Sequence, residues 1–310
     1  THPLCPPPQG RGRDLQTTLY THPNHTNLNS PKIDYIIFLD SDDFWEVDLL
    51  EKCVDLAQNY NSPDIIWFDW REIYETKTPP KYQSQTMLEL FGFTNQTQIT
   101  AIEWLNRAKD RRIYQFWWAW QGLIRFDYLK RVNLRFLEGI IYEDNLFGVL
   151  LFSHCESIAI MPSKLYNYRI RGGSTMTKWD FKEAPSYIKP LLAHFDYDMA
   201  LQYFKSHCHL AIATELQKFC LKDTHIARLC ERTFIPSFLV ELCDILTYQN
   251  DPYNLKVQFY ALVSGRKMDL LYIKIIDKII PNRLKKVRHY CFLLYFVPYL
   301  IVIRGRVKLK

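Results

Sequence analysis

The run Ile33-Asp34-Tyr35-Ile36-Ile37-Phe38-Leu39, followed at once by Asp40-Ser41-Asp42-Asp43, constrains this chain more than any other stretch. Its β-branched and aromatic residues read as a buried strand. In α/β sheets ligands bind beyond the carboxyl ends of strands, so the carboxylates that follow project toward a candidate site. Three carboxylates within four residues repel one another unless something positive sits between them. Hard oxygen ligands of this kind suit Mg²⁺ or Mn²⁺, which in turn hold phosphate oxygens. Capping of the next helix by Asp42 or Asp43 is the alternative, and it explains one Asp but not three.

The rest of the first half alternates strands and helices. Val47, Leu50, Val54 and Ala57 recur at three- and four-residue steps, predicting an amphipathic helix over 46–59, with Asp43 placed to cap its start. Asp64–Trp70 reads as a second strand and Thr76–Gln85 as a Pro-containing loop. Thr100 and Glu103 form a capping-box pattern that opens a helix to about Arg111. An aromatic stretch over 114–132 precedes a helix that begins after Tyr142. Two short strands, Ser157–Met161 and Lys164–Arg169, lead to a Gly172-Gly173-Ser174 loop. From Ser186 onward the pattern is largely helical. Strand, acidic turn and helix predict an α/β core, followed by a helical extension.

Charge is unevenly distributed. Eight of the 39 Lys and Arg residues lie in 281–310 without an acid, leaving 31 basic against 33 acidic residues elsewhere. That balance argues against a nucleic-acid-binding body. Within the tail, Tyr290–Ile303 is apolar and aromatic between basic flanks, and at fourteen residues it is too short to span a bilayer, which needs ~20. Such a segment suits an anionic membrane surface, or else a terminal helix buried on the core. The eight cysteines show no CxxC pair and mostly sit in apolar helical contexts, which points to reduced thiols in the cytoplasm. His207-Cys208-His209 has no second ligand pair near it in sequence.

Two further motifs follow the strand-end acids. Glu143-Asp144 stands at a predicted helix start, where acids also complement the helix dipole. Tyr166-Asn167-Tyr168-Arg169-Ile170-Arg171-Gly172-Gly173-Ser174 sets basic groups beside a Gly pair, either to clamp a diphosphate or as a solvated strand end. The order of residues 35–45, 138–145 and 166–174 resembles family 2 glycosyltransferases of the GT-A fold, most closely those that extend bacterial lipopolysaccharide or capsule. The resemblance covers 33–176.

It implies a GT-A Rossmann-like core over 33–180 and a helical extension over 181–310. It also implies a UDP-sugar donor, a Mn²⁺ or Mg²⁺ cofactor, and inverting transfer of a hexose to a glycan or lipid-linked oligosaccharide at the cytoplasmic membrane face. In this scheme Asp40 contacts the ribose and Asp42 ligates the metal. Asp144 is the general base, and Glu143 positions the acceptor. Arg171 offsets the diphosphate charge, Arg13 of the Gly10–Asp14 element lies on the donor side, and Trp118 and Trp120 form the acceptor platform. Residues 1–32 show none of the family's opening strand or uracil-binding turns, so the chain is expected to be a fragment that lacks its N-terminal part. Rival readings of Asp40-x-Asp42 are a haloacid-dehalogenase-like phosphatase, with Asp40 as nucleophile, and a catalytically silent binding remnant.

Overall fold

The computed structural model describes residues 33–74, 85–170 and 184–263. Its centre is a six-stranded mixed sheet: β1 (Tyr35–Ile37), β2 (Phe44–Trp45), β3 (Ile65–Tyr74), β4 (Thr97–Ile99), β5 (Gly122–Arg125) and β6 (Ile158–Ile170). The strands run in the order β1-β5-β3-β6-β2, with β4 also on β6. Among the described residues, only β3 and β6 pair in parallel and every other pairing is antiparallel.

The two short strands expected over 157–169 are one strand, β6, interrupted by an irregularity. Opposite Phe68, Asp69 and Trp70 of β3 stand Met161, Lys164 and Tyr166, so Pro162, Ser163 and Leu165 have no partner there. Pro162 has no N–H to donate to a ladder, which is why pairing lapses at this point.

Helix α1 (Leu49–Asn59) forms as its periodicity predicts, but with a different face inward. Leu49, Cys53 and Leu56 are buried against the sheet, whereas Leu50 and Val54 are 48% and 53% exposed and Val47 is fully exposed. Two apolar stripes of three- and four-residue steps lie on this helix, and the sheet takes the one that begins two residues later, at Leu49. Asp43 does not cap α1. The N-cap is Asp48, whose carboxylate makes no cap bond and pairs instead with Lys52 at 2.6 Å. The reason is β2, which inserts between Asp43 and the helix.

The capping box at Thr100 and Glu103 is present and opens α3 (Ala101–Arg111) as expected. A second box, Thr86 with Glu89, opens the short α2 (Met87–Phe91). After β5 come α4 (Phe126–Val132) and α5 (Glu143–His154). The helical second half consists of α6 (Tyr197–Cys220), α7 (His225–Leu242) and α8 (Leu255–Val263).

The α/β class and the helical extension are thus both present, and they share one hydrophobic core. Trp67 of β3 meets Phe91, Phe93, Phe116 and Phe152 edge-on at 5.3–6.1 Å. Such pairs add about 0.5–1.5 kcal/mol beyond area burial. Trp104 of α3 carries the core onward, stacking on Phe234 of α7 at 5.6 Å. Cys53, Cys155, Cys208, Cys220 and Cys230 are buried free thiols, in keeping with the packing role expected of them.

Gly122 marks the closest approach in the sheet. A Cβ there would collide with the Ile66 carbonyl oxygen and lie 2.6 Å from the Trp118 ring. Gly122→Ala should therefore lower stability by about 1–3 kcal/mol or more, read as a reduced denaturation midpoint. An unchanged midpoint would contradict this packing.

Candidate active site

The chain turns sharply after β1, with the Asp43 N–H donating to the Asp40 carbonyl at 3.1 Å. This turn is fastened to β6 by Asp43, whose two carboxylate oxygens accept from the Tyr166 hydroxyl at 2.6 Å and the Arg169 N–H at 2.8 Å. The Tyr166 oxygen also accepts from the Asp40 N–H at 3.3 Å. Below it, buried Asn167 accepts from Arg71 Nε at 2.7 Å and donates to Glu46 at 3.0 Å, while Arg71 pairs directly with Glu46. The strand-end acids are thus held by partners some 120 positions away in sequence.

Asp40 is raised above the usual carboxylate range, first by desolvation, then by the negative charges of Asp43, Asp42 and Glu143. The last of these belongs to the start of α5. The same Glu143 also acts on its neighbour Asp144, so its carboxylate lies within electrostatic reach of both motifs. Asp144 is pushed up to about 6, chiefly by burial and then by Glu143, against the opposing pull of hydrogen bonds from Asn145. Burial here outweighs the helix N-terminus, which favours the ionised form. The turn before α5 is unusual, because Tyr142 at the N-cap has a left-handed backbone with φ +68°. The Asp144 carbonyl accepts from the Trp118 N–H at 3.3 Å, and Gly148 lets the helix rest on the Trp118 backbone.

Trp118 and Trp120 have different fates. Trp118 is 0% exposed and packs on Phe152 within the core, so it presents no face to a ligand. Its assignment to an acceptor platform is corrected accordingly. A core aromatic and a sugar-stacking aromatic look alike in sequence, and only burial separates them. Trp120, two residues on and on the opposite side, is half-buried and stacks with Tyr166 at 4.5 Å and Tyr168 at 5.4 Å. Trp70 closes this aromatic group edge-on. Tyr168 feels Asp43, Asp40 and Asp42, so the aromatic group borders the acids.

Among the described residues, no three His, Cys, Asp or Glu side chains converge as a metal-holding group. A preformed protein cage is therefore not what the acids provide. Mg²⁺ is commonly bound by one or two carboxylates, with substrate phosphates and water completing its shell. Asp40, crowded by like charge, and Asp42 beside it fit that sparser arrangement. Asp43 does not, since both its oxygens are occupied by Tyr166 and Arg169. Arg13 and the Gly10–Asp14 element lie outside the described residues, as do Arg171, the Gly172–Ser174 loop and the basic tail.

Sequence reasoning assigned no role to Tyr166, Asn167, Glu46 or Arg71. The Tyr-x-Tyr alternation at 166 and 168 does put both rings on one strand face. Their attachment to Asp43 is a long-range contact that no local pattern encodes.

Comparison with known proteins finds similarity over part of the chain. The chain is 25% identical over 244 residues to the uncharacterized glycosyltransferase EpsJ of Bacillus subtilis (strain 168). That similarity covers 77% of this chain and 63% of EpsJ, so the chain spans less than two thirds of that relative. Among solved structures, S. aureus TarS 1–349 is 14% identical with a TM-score of 0.46, covering 91% of this chain and 68% of TarS 1–349. Its complex with UDP gives 14% and 0.45 over 89% and 68%. Residues 32–123 match the family model described as Glycosyl transferase family 2. The matched stretch takes in the strand-end carboxylates Asp40 and Asp42, so the similarity favours a glycosyl transferase family 2 reading of them over a dehalogenase-like one.

Proposed function

We propose that this protein is an inverting glycosyltransferase that moves a hexose from a UDP-sugar to a hydroxyl of a growing bacterial surface glycan such as lipopolysaccharide. The observation that carries this reading is the meeting at Glu143. Its carboxylate contributes to raising both Asp40 at the strand end and Asp144 at the start of α5, which supports a donor-side acid and a candidate base lying at one site.

The chemistry follows from these positions. Asp40 accepts from the ribose hydroxyls of the donor. Glu143 orients the acceptor, whose sugar ring stacks on Trp120. Asp144 takes the acceptor proton as the new C–O bond forms and the bond from the anomeric carbon to the diphosphate breaks, so inversion follows from attack on the opposite face. Negative charge then accumulates on the departing UDP. Mn²⁺ or Mg²⁺, held by Asp42, would supply the electrostatic stabilisation of that charge. Arg13 and Arg171 are assigned to the same charge by resemblance. The tail over 281–310 is assigned to the anionic inner face of the membrane by its composition alone.

Incubation with a panel of UDP-hexoses, Mn²⁺ and lipid-linked acceptors should release UDP in proportion to acceptor glycosylation. No transfer from any donor, together with no UDP binding by calorimetry, would favour a silent binding remnant instead.

A further inference from the structure

The turn that launches α5 is held from behind by the helical extension. Tyr142 occupies the left-handed backbone region, which costs an L-residue with a β-carbon free energy and persists only where its surroundings enforce it. No side chain caps α5 at this residue. What holds the turn comes from α6. The Tyr142 ring stacks on the His209 ring, with centroids 5.3 Å apart and planes 23° apart. One residue earlier, the Ile141 N–H donates to Cys208 Sγ at 3.4 Å. His209 is in turn backed by Phe238 of α7, edge-on at 6.0 Å. Glu143 and Asp144 follow Tyr142 directly, so any rotation of this turn re-aims both carboxylates.

We infer that Cys208 and His209 of α6 are positioning residues that fix the Tyr142 turn and thereby the aim of Asp144. This inference rests on the proposed role of Asp144 as base and gives α6, which lies beyond the family-matched stretch, a part in the reaction. His209 acts through its ring face and not through charge. Burial, with Lys205 nearby, lowers it to about 4, so it is neutral at working pH. The other groups acting on Tyr142 are Cys208, Tyr187, Glu241 and Asp144. None of them supplies a cation to the stack.

Three variants test the inference. His209→Ala removes the stack and should lower kcat by about 10- to 10²-fold while donor KM stays within about twofold, as expected for misaimed reacting groups. His209→Phe keeps an aromatic face and should recover most of that loss. Tyr142→Gly tolerates positive φ but has no ring, so it should match His209→Ala, and the two together should be no worse than either alone. A substrate-free readout runs alongside: the carboxyl-carbon NMR titration of Asp144. Its midpoint near 6 should fall toward the ordinary ~3.9 in His209→Ala as the turn opens to water.

A folded His209→Ala with unchanged kcat and an unchanged Asp144 midpoint overturns the positioning role. So does a Phe variant as slow as the Ala variant. An inactive wild-type protein would count against the proposed function, and the NMR midpoint would then decide the positioning role by itself.

Discussion

Asp144→Asn should lower kcat by about 10²–10⁴-fold and leave donor binding almost unchanged. The substitution preserves shape and the approach of Asn145, but an amide cannot take the acceptor proton. A second consequence concerns pH. The base must be ionised to act, and its folded-state value lies at about 6, so activity should fall as pH drops through about 6. An unperturbed Asp would hold activity down to about 4. A third consequence has the opposite sign. A carboxyl whose value is raised on folding binds its proton more tightly in the folded state, so stability falls as pH rises from the ordinary ~3.9 through the folded value of about 6 and the loss is complete above it. Asp144→Asn should therefore melt slightly higher than wild type at pH 8, with the difference shrinking as pH falls toward 4. A slower but more stable enzyme is the expected pair of results. If Asp144→Asn is nearly wild type while Glu143→Gln is dead, the two roles are exchanged.

Asp42→Ala should reduce transfer by at least about 10²–10³-fold, and excess EDTA should do the same to the wild type. The basis is the like charge of Asp43, Asp42 and Glu143 acting on Asp40, which a cation on the diphosphate would offset. The fold should survive, because Asp43 ties this turn to β6 through Tyr166 and Arg169. Asp43→Ala is the informative contrast: it removes both links to β6 and should lower stability as well as activity. Full transfer in EDTA, with Asp42→Ala unimpaired, would show that the strand-end acids bind no catalytic metal.

Local order was legible in this sequence where the signal is itself local. The capping box at Thr100 and Glu103 needs only four residues to specify a helix start, and α3 begins there. The first strand was legible from its β-branched run, although it is a half-buried strand of three residues at one end of the sheet order and not a buried one, and α5 was legible from the acids that open it. Facing was not legible. Val47, Leu50 and Val54 recur at three- and four-residue steps, as do Leu49, Cys53 and Leu56, so periodicity identifies α1 without saying which stripe meets the sheet. The acids of the candidate site were found because they cluster in sequence. Tyr166 and Arg71 were missed because their partners, Asp43 and Asn167, lie 123 and 96 positions away. Trp118 was misassigned because indole composition is silent about depth.

The lapse in pairing along β6 has a consequence that is arithmetic in kind. Before it, Ala159 and Met161 lie on the sheet face that packs α1; after it, Tyr166 and Tyr168 lie on that same face. Strict alternation would have kept odd-numbered residues there and turned both tyrosines to the opposite side. The three unpartnered residues form an odd number, and that oddness brings Tyr166 round to Asp43. Gain or loss of two residues between Met161 and Tyr166 would preserve this parity, whereas gain or loss of one would invert it. In a lineage of such chains the length of this short interval would be inherited in steps of two, whatever residues filled it.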